Sequence, residues 1–278
     1  AEACGKLGGI VCAVLGNDRA ILSRYDDSVV RIISAGSAGA AVQVIRRARG
    51  FAPVPLKLAQ ANTNPEAAAD ASPDTVADPK TTTAACTEDA SETAGHEAAA
   101  VAPVLFAAGS EQKSTFAFVR GSEAFVSQHV GDLENAEAFD AWLDAKSRFE
   151  KLFELRATRL ACDAHPEYLA SKWAREQARK LNIPLVEVQH HHAHIASVIG
   201  ENGLSGAVCG IAFDGTGFGA DGSIWGGEVL LANVQAYERF ANFAYVPMPG
   251  GAACVKNPLR MAYGVLWEFD LLEHPAAK

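Results

Sequence analysis

The sequence predicts an α/β fold in which mixed-sheet lobes are covered by helices. Three strand-like runs joined by short turns, Val104–Ala108, Thr115–Val119 and Ala124–His129, lie just after Pro103. Helical and strand patterns then alternate towards the C-terminus. A meander followed by such alternation requires a mixed sheet.

The elements follow in order. Up to about Leu58 the chain reads as a globular piece, with a short apolar run at Ile10–Leu15 and a passage from charged into β-branched residues over Asp27–Ile33. Residues 59–102 are Ala, Thr, Asp, Glu and Pro with almost no large apolar side chain. Such a segment buries too little surface to offset its ordering entropy, so a disordered linker is predicted there. The second and third strands of the meander join around Arg120-Gly121. A helix is predicted from about Glu137, with Phe139, Trp142, Leu143, Phe149, Leu152 and Phe153 on one face and Asn135 suited to cap it. Arg159–Asp163 reads as a strand. Pro166 suits the first position of the next helix, which turns Tyr168, Leu169, Trp173 and Leu181 inward. Leu185–Val188 is a further strand. Ile195, Val198 and Ile199 mark a helical stripe that Gly203 ends. Ala207–Phe213 opens a new strand, finishing at Asp214. The expected organisation is therefore a piece over 1–58, a linker over 59–102, a first lobe over 103–206 and the start of a second lobe over 207–278. That second lobe is expected to be cut short, and the absent initiating Met fits either processing or a chain taken from something longer.

Composition narrows the function. With 49% hydrophobic residues an ordinary core is available. The balance of 24 basic against 33 acidic residues, a net charge of −9, argues against a broad grip on nucleic acid. Arg46, Arg47 and Arg49 form the nearest basic run and read as a solvated face. No stretch approaches the roughly 18–20 apolar residues of a membrane span. The six cysteines form no Cys-x-x-Cys pair, which suits thiols in a reducing cytosol better than a zinc finger or disulfide scaffold.

Four of the eight histidines fall within five positions: His190, His191, His192 and His194. On a helix, residues i and i+4 share a face, so His190 and His194 can present two imidazoles to one metal. His191 and His192 then point elsewhere, towards substrate, supporting or solvent roles. The alternative is a polar helix start whose rings satisfy nearby carbonyls. Asp214-Gly215-Thr216-Gly217-Phe218-Gly219 follows a strand directly. Its glycines suit close approach to phosphate oxygens and its Asp suits a metal, although Asp-Gly is also common in hairpin turns. Gly226 and Gly227 form a second glycine pair beside the carboxylate of Glu228, which also suits a plain turn, and Lys113 lies where an ammonium can meet a phosphate, although a solvated lysine is the commoner reading. Gln128, His129 and Asp132 lie in a segment that reads either as a substrate loop or as a turn.

These residues carry a family resemblance. Val188-Gln189-His190-His191-His192-Ala193-His194-Ile195-Ala196-Ser197, then Asp214 to Gly219, Trp225 to Glu228 and, upstream, Ser127 to Asn135, together resemble the carbamoyltransferase domain of the HypF family. Asp26 to Arg31 and Arg46 to Pro53 are similar to the end of the YrdC-like domain that precedes it, with Ser28 and Arg31 as its candidate site residues. The resemblance implies lobes of the actin and sugar-kinase (ribonuclease H-like) type. It implies carbamoyl adenylate made from carbamoyl phosphate and ATP with Mg, and transfer of the carbamoyl group to the C-terminal cysteine of HypE in nickel–iron hydrogenase maturation. It also implies a cytoplasmic protein with a divalent metal, iron or zinc, on His190, His194 and Asp214. Several parts of the family pattern are missing, and Asn17 stands where the pattern has His. The chain alone is accordingly expected not to turn over. The rival readings are a small-molecule O-carbamoyltransferase of the same fold and a noncatalytic nucleotide- or RNA-binding module.

Overall fold

The computed structural model describes residues 25–34, 40–58 and 102–275. The apolar run at Ile10–Leu15, Asn17 and the predicted linker, apart from Ala102, lie outside them. The chain divides into two compact units between Val188 and Gln189.

In the first unit, β1 (Val29–Ser34) and β2 (Ala40–Arg46) form an antiparallel pair. The main sheet holds β3 (Leu56–Lys57), β4 (Val104–Ala107), β5 (Ala117–Arg120), β6 (Glu123–Val126), β7 (Arg159–Asp163) and β8 (Leu185–Val188). Its spatial order is β3-β6-β5-β4-β7-β8. Pairing is antiparallel from β3 to β4 and parallel from β4 to β8, the mixed sheet that the element order requires. The parallel half needs crossovers, supplied by α1 (Ala136–Leu152) and α2 (Leu169–Leu181). Through β3 the first globular piece joins this sheet as its edge strand, and the His129 N–H donates to the Arg47 carbonyl at 2.9 Å.

An aromatic cluster fills this core. Phe106, Phe116, Phe118 and Trp142 are each at most 1% exposed. Trp142 lies edge-on to Trp173 at 5.1 Å and to Phe116 at 5.7 Å, the offset geometry that aromatic rings favour. Alternation along β4 sends Val104 and Phe106 inward, while the α1 stripe delivers Trp142, Ala145 and Phe149. Asn135 caps α1 by accepting the Glu137 N–H at 2.8 Å. Asn135→Ala is expected to lower stability by about 1 kcal/mol, read as a fall in the urea midpoint at unchanged slope.

Three details differ from expectation. Pro166 does not open α2, which starts at Leu169 after an N-cap at Tyr168 that gives no side-chain cap. The first free N–H, at Leu169, is instead taken by Glu111 Oε2 at 2.8 Å, from 58 residues upstream. Leu181 is 58% exposed and Leu152 65%, because α2 meets the core through Ala170, Ala174 and Ala178, and α1 turns Leu152 outward at its last residue.

The second unit is built on β9 (Val208–Ala212), β12 (Glu228–Ala232) and β13 (Tyr237–Asn242), antiparallel with β12 in the middle. Between β9 and β12 the chain makes a small hairpin of β10 (Gly217–Phe218) and β11 (Ile224–Trp225). Helix α3 (His190–Asn202) lies on the sheet, with Ile195 and Ile199 against Ala212, Leu230 and Ala232. A Cβ at Gly210 would come within 2.6 Å of Ile195, so glycine there lets α3 approach β9 closely. Val198, placed in the stripe by its spacing, is 51% exposed. Helices α4 (Ala253–Lys256) and α5 (Pro258–Glu268) complete the unit, the second started by Pro258 and capped by Asn257. No helix among the described residues is long and apolar enough to cross a membrane.

Candidate metal centre

The second unit brings together His190, His194 and Asp214. Gln189 adopts an extended conformation at the N-cap of α3, and its Oε1 accepts the His192 N–H at 2.8 Å. Helical geometry then stacks His190 and His194 on one face, with ring centroids 4.8 Å apart. Asp214 follows the end of β9 and turns its carboxylate onto that face. Oδ2 lies 2.7 Å from His190 Nε2 and 3.4 Å from His194 Nε2, and the two ring nitrogens are 3.2 Å apart.

Three Lewis bases thus aim at one small volume. Asp214 is charged: hydrogen bonds from His190 and then His194 hold its carboxyl well below the usual range, against the opposing effect of burial. A carboxylate only accepts, so His190 Nε2 must carry a proton to bond it. His194 Nε2 then faces a protonated nitrogen at 3.2 Å as well as the shared oxygen. A cation held there would take lone pairs from both imidazoles and charge from the carboxylate. The donor set fits zinc or iron, and its ligand atoms all lie within 4.8 Å of one another. It is the one such group of His, Cys, Asp or Glu found among the described residues.

His191 and His192 turn off this face and into the protein, where they are 0% and 7% exposed. His191 Nε2 meets the Asp214 carbonyl at 3.0 Å, and His192 Nε2 meets the Asn233 carbonyl at 2.8 Å. The glycines sort by what surrounds them. Gly215 and Thr216 are exposed beside Asp214, and a Cβ on Gly215 would meet nothing within 4 Å. A Cβ on Gly217 would lie 2.2 Å from His191 Cε1, and one on Gly226 would lie 2.9 Å from Gly215 Cα. Gly227 takes φ +76° against Phe243. Glycine at 217, 226 and 227 therefore serves close packing within the protein, and Gly215 keeps the open approach. Glu228 is 1% exposed and holds Arg239 by two hydrogen bonds, at 2.6 and 3.0 Å, while accepting the Gly226 N–H at 3.0 Å. A groove of about 740 Å³ beside Asp214 is lined by Phe213, Gly215, Gly226, Phe243, Tyr245 and Met248, among others.

Other candidates belong to the first unit. Lys113 has φ +49°, its N–H is bonded by Asp132 Oδ1 at 2.8 Å, and its side chain is exposed. Asp132 thus fixes the Lys113 turn. Gln128 is 4% exposed with no protein partner for its Oε1. His129 Nδ1 lies 3.4 Å from Asp26 Oδ2. Ser28 joins Ala48 and Arg49 through its hydroxyl, and Arg31 lies on exposed β1, opposite Gln43. Of the three arginines read as a solvated face, Arg47 is half-buried and donates to the Phe51 and Val54 carbonyls.

Two residues that make structural contacts beside the site were not singled out in the sequence. Gln189 carried a signal, an amide at the residue before a helical histidine run. Arg239 carried none, because its partners Glu228 and Asp221 lie 11 and 18 positions earlier.

Comparison with known proteins identifies the family. Residues 100–201 match the HypF Kae1-like domain, and residues 210–278 match the second subdomain of the carbamoyltransferase Kae1-like domain. The chain belongs to the HypF family. It is similar to carbamoyltransferase HypF2 of Cupriavidus necator, 38% identical over 95% of this chain and 28% of that protein. Carbamoyltransferase HypF of Rhizobium leguminosarum bv. viciae is 33% identical over 95% of the chain and 28% of its own length. The crystal structure of full-length HypF in the phosphate- and nucleotide-bound form superposes with a TM-score of 0.69 at 34% identity, covering 90% of this chain and 27% of that one. HypF of T. kodakarensis gives 0.63 at 32% identity, over 88% of this chain and 26% of that one. The mixed α/β architecture is thus that of the HypF Kae1-like lobe. The chain spans about 28% of the length of the curated relatives it matches.

Proposed function

We propose that this chain supplies the metal-binding part of a HypF-type carbamoyltransferase. In this reading carbamoyl phosphate, water and ATP with Mg give carbamoyl adenylate, phosphate and pyrophosphate, and the carbamoyl group then passes to the thiol of the C-terminal cysteine of HypE in the cytoplasm, releasing AMP. The observation that carries the proposal is the convergence of His190, His194 and Asp214 on one point. Zinc or iron bound there supplies a Lewis acid that neutralises phosphate charge and polarises the carbamoyl group.

The chain's own residues do the rest. His190 and His194 would hold the cation with Asp214, whose carboxylate would lower the net charge that the phosphates meet. Gly215 leaves an open approach beside that carboxylate, Thr216 turns its N–H back onto Asp214 Oδ1 at 3.4 Å, and the aromatic groove offers a surface to the remainder of the adenylate. The relatives' shared name favours this reading over the small-molecule O-carbamoyltransferase.

Elemental analysis of protein purified without added metal tests the proposal, with about one zinc or iron per chain expected. Asp214→Asn keeps the side chain's size but brings no charge to the cation. It is expected to weaken cation binding and any cation-dependent adenylate binding, measured calorimetrically. Equal affinity in parent and variant would reduce Asp214 to a turn residue.

A further inference from the structure

We propose that Gln189 and His191 are positioning residues for the cation site: together they pin the loop from Asp214 to Phe218 at both ends, so that the Asp214 carboxylate stays within reach of His190 and His194. The inference rests on the metal reading above and goes beyond it, because neither side chain contributes a ligand atom.

The pins are specific. Gln189 is 8% exposed and uses both ends of its amide. Oε1 accepts the His192 N–H at 2.8 Å, which fixes the first turn of α3. Nε2 donates to the Phe218 carbonyl at 3.2 Å and faces His191 Nδ1 at 3.2 Å. With the amide nitrogen as donor, Nδ1 accepts, and the His191 proton is left on Nε2. That Nε2–H meets the Asp214 carbonyl at 3.0 Å, so one neutral tautomer satisfies both contacts.

The loop therefore receives a hydrogen bond at each end from the residues flanking His190. Between the ends, Gly217 packs so closely on the His191 ring that a Cβ would fall 2.2 Å from Cε1. The same helical turn thus carries one metal-facing histidine and the two side chains that place the opposing carboxylate. Ligand histidines elsewhere depend on outer hydrogen bonds in this way, and losing one typically costs 10–100-fold in metal affinity.

Cobalt(II) titration followed by visible absorption, with the melting temperature of the metal-free protein recorded in parallel, tests the inference. His191→Phe keeps a ring but removes the donor. It is expected to weaken cobalt binding about 10–100-fold and to change the absorption bands. Gln189→Met is expected to do the same. His191→Gln places an amide N–H near the former Nε2 and is expected to restore most of the affinity, which a purely packing role for the ring would not predict. Cobalt affinity and bands in His191→Phe equal to the parent's would overturn the positioning role. So would His191→Gln binding as weakly as His191→Phe. A parent that takes up no cobalt would remove the metal reading first, and the positioning role with it.

Discussion

The double variant His190→Ala/His194→Ala is expected to lose tight cation binding altogether. It removes two of three converging donors and leaves a lone carboxylate that is 32% exposed. A single exposed carboxylate holds a transition metal poorly, so the loss should exceed the roughly 10–100-fold cost of removing an outer partner. The fold should survive, because His194 is 55% exposed and neither ring belongs to the buried cluster that seats α3. Gln189 and His191 remain, so the Asp214 loop keeps its two pins. Metal content after dialysis against a weak chelator, beside the far-ultraviolet circular dichroism of parent and variant, separates loss of ligands from loss of structure. Parent-like metal content in the double variant would mean that the cation sits elsewhere.

Much of this arrangement was legible in the sequence, for identifiable reasons. Strands β7 and β8 occupy the residues their apolar runs predict, and the mixed sheet follows from a meander preceding alternating units. The pairing of His190 with His194 is local geometry, since an α-helix alone puts i and i+4 on one face. What stayed hidden depends on long separations. Glu111 caps α2 from 58 residues away, and nothing near Tyr168 announces it. The periodicity turns His191 and His192 off the face of His190 and His194, but their acceptors lie 23 and 41 residues further on. The glycine-rich segments read as a phosphate cradle or as turns, and their spacing does not announce that Gly226 packs against Gly215 and Gly217 against His191. Leu152 and Leu181 mislead because apolar spacing cannot tell a core position from the outward-facing end of a helix, where small alanines make the contact instead.

Glu228→Ala is expected to be the most destabilising single change near the site. The carboxylate is 1% exposed and receives Arg239 Nε at 2.6 Å, Arg239 Nη2 at 3.0 Å and the Gly226 N–H at 3.0 Å. Truncation leaves a guanidinium stacked 4.0 Å over Trp225, with only Tyr245 Oη at 2.9 Å and Asp221 at 3.7 Å to face its charge. Breaking a buried pair from one side costs about 3–5 kcal/mol, and the lower end applies because Arg239 keeps 21% exposure. Replacing both partners, as Glu228→Leu/Arg239→Met, leaves no stranded charge and should recover most of that loss. The effect should also reach the metal. Gly226 loses its acceptor in the single variant, and Gly226 packs on Gly215, the residue after Asp214. Cation affinity in Glu228→Ala should therefore fall together with the urea midpoint. If the midpoint falls while affinity holds, the ion pair stabilises the unit without setting the loop. If the double replacement is as unstable as the single one, the stranded arginine is not the cause.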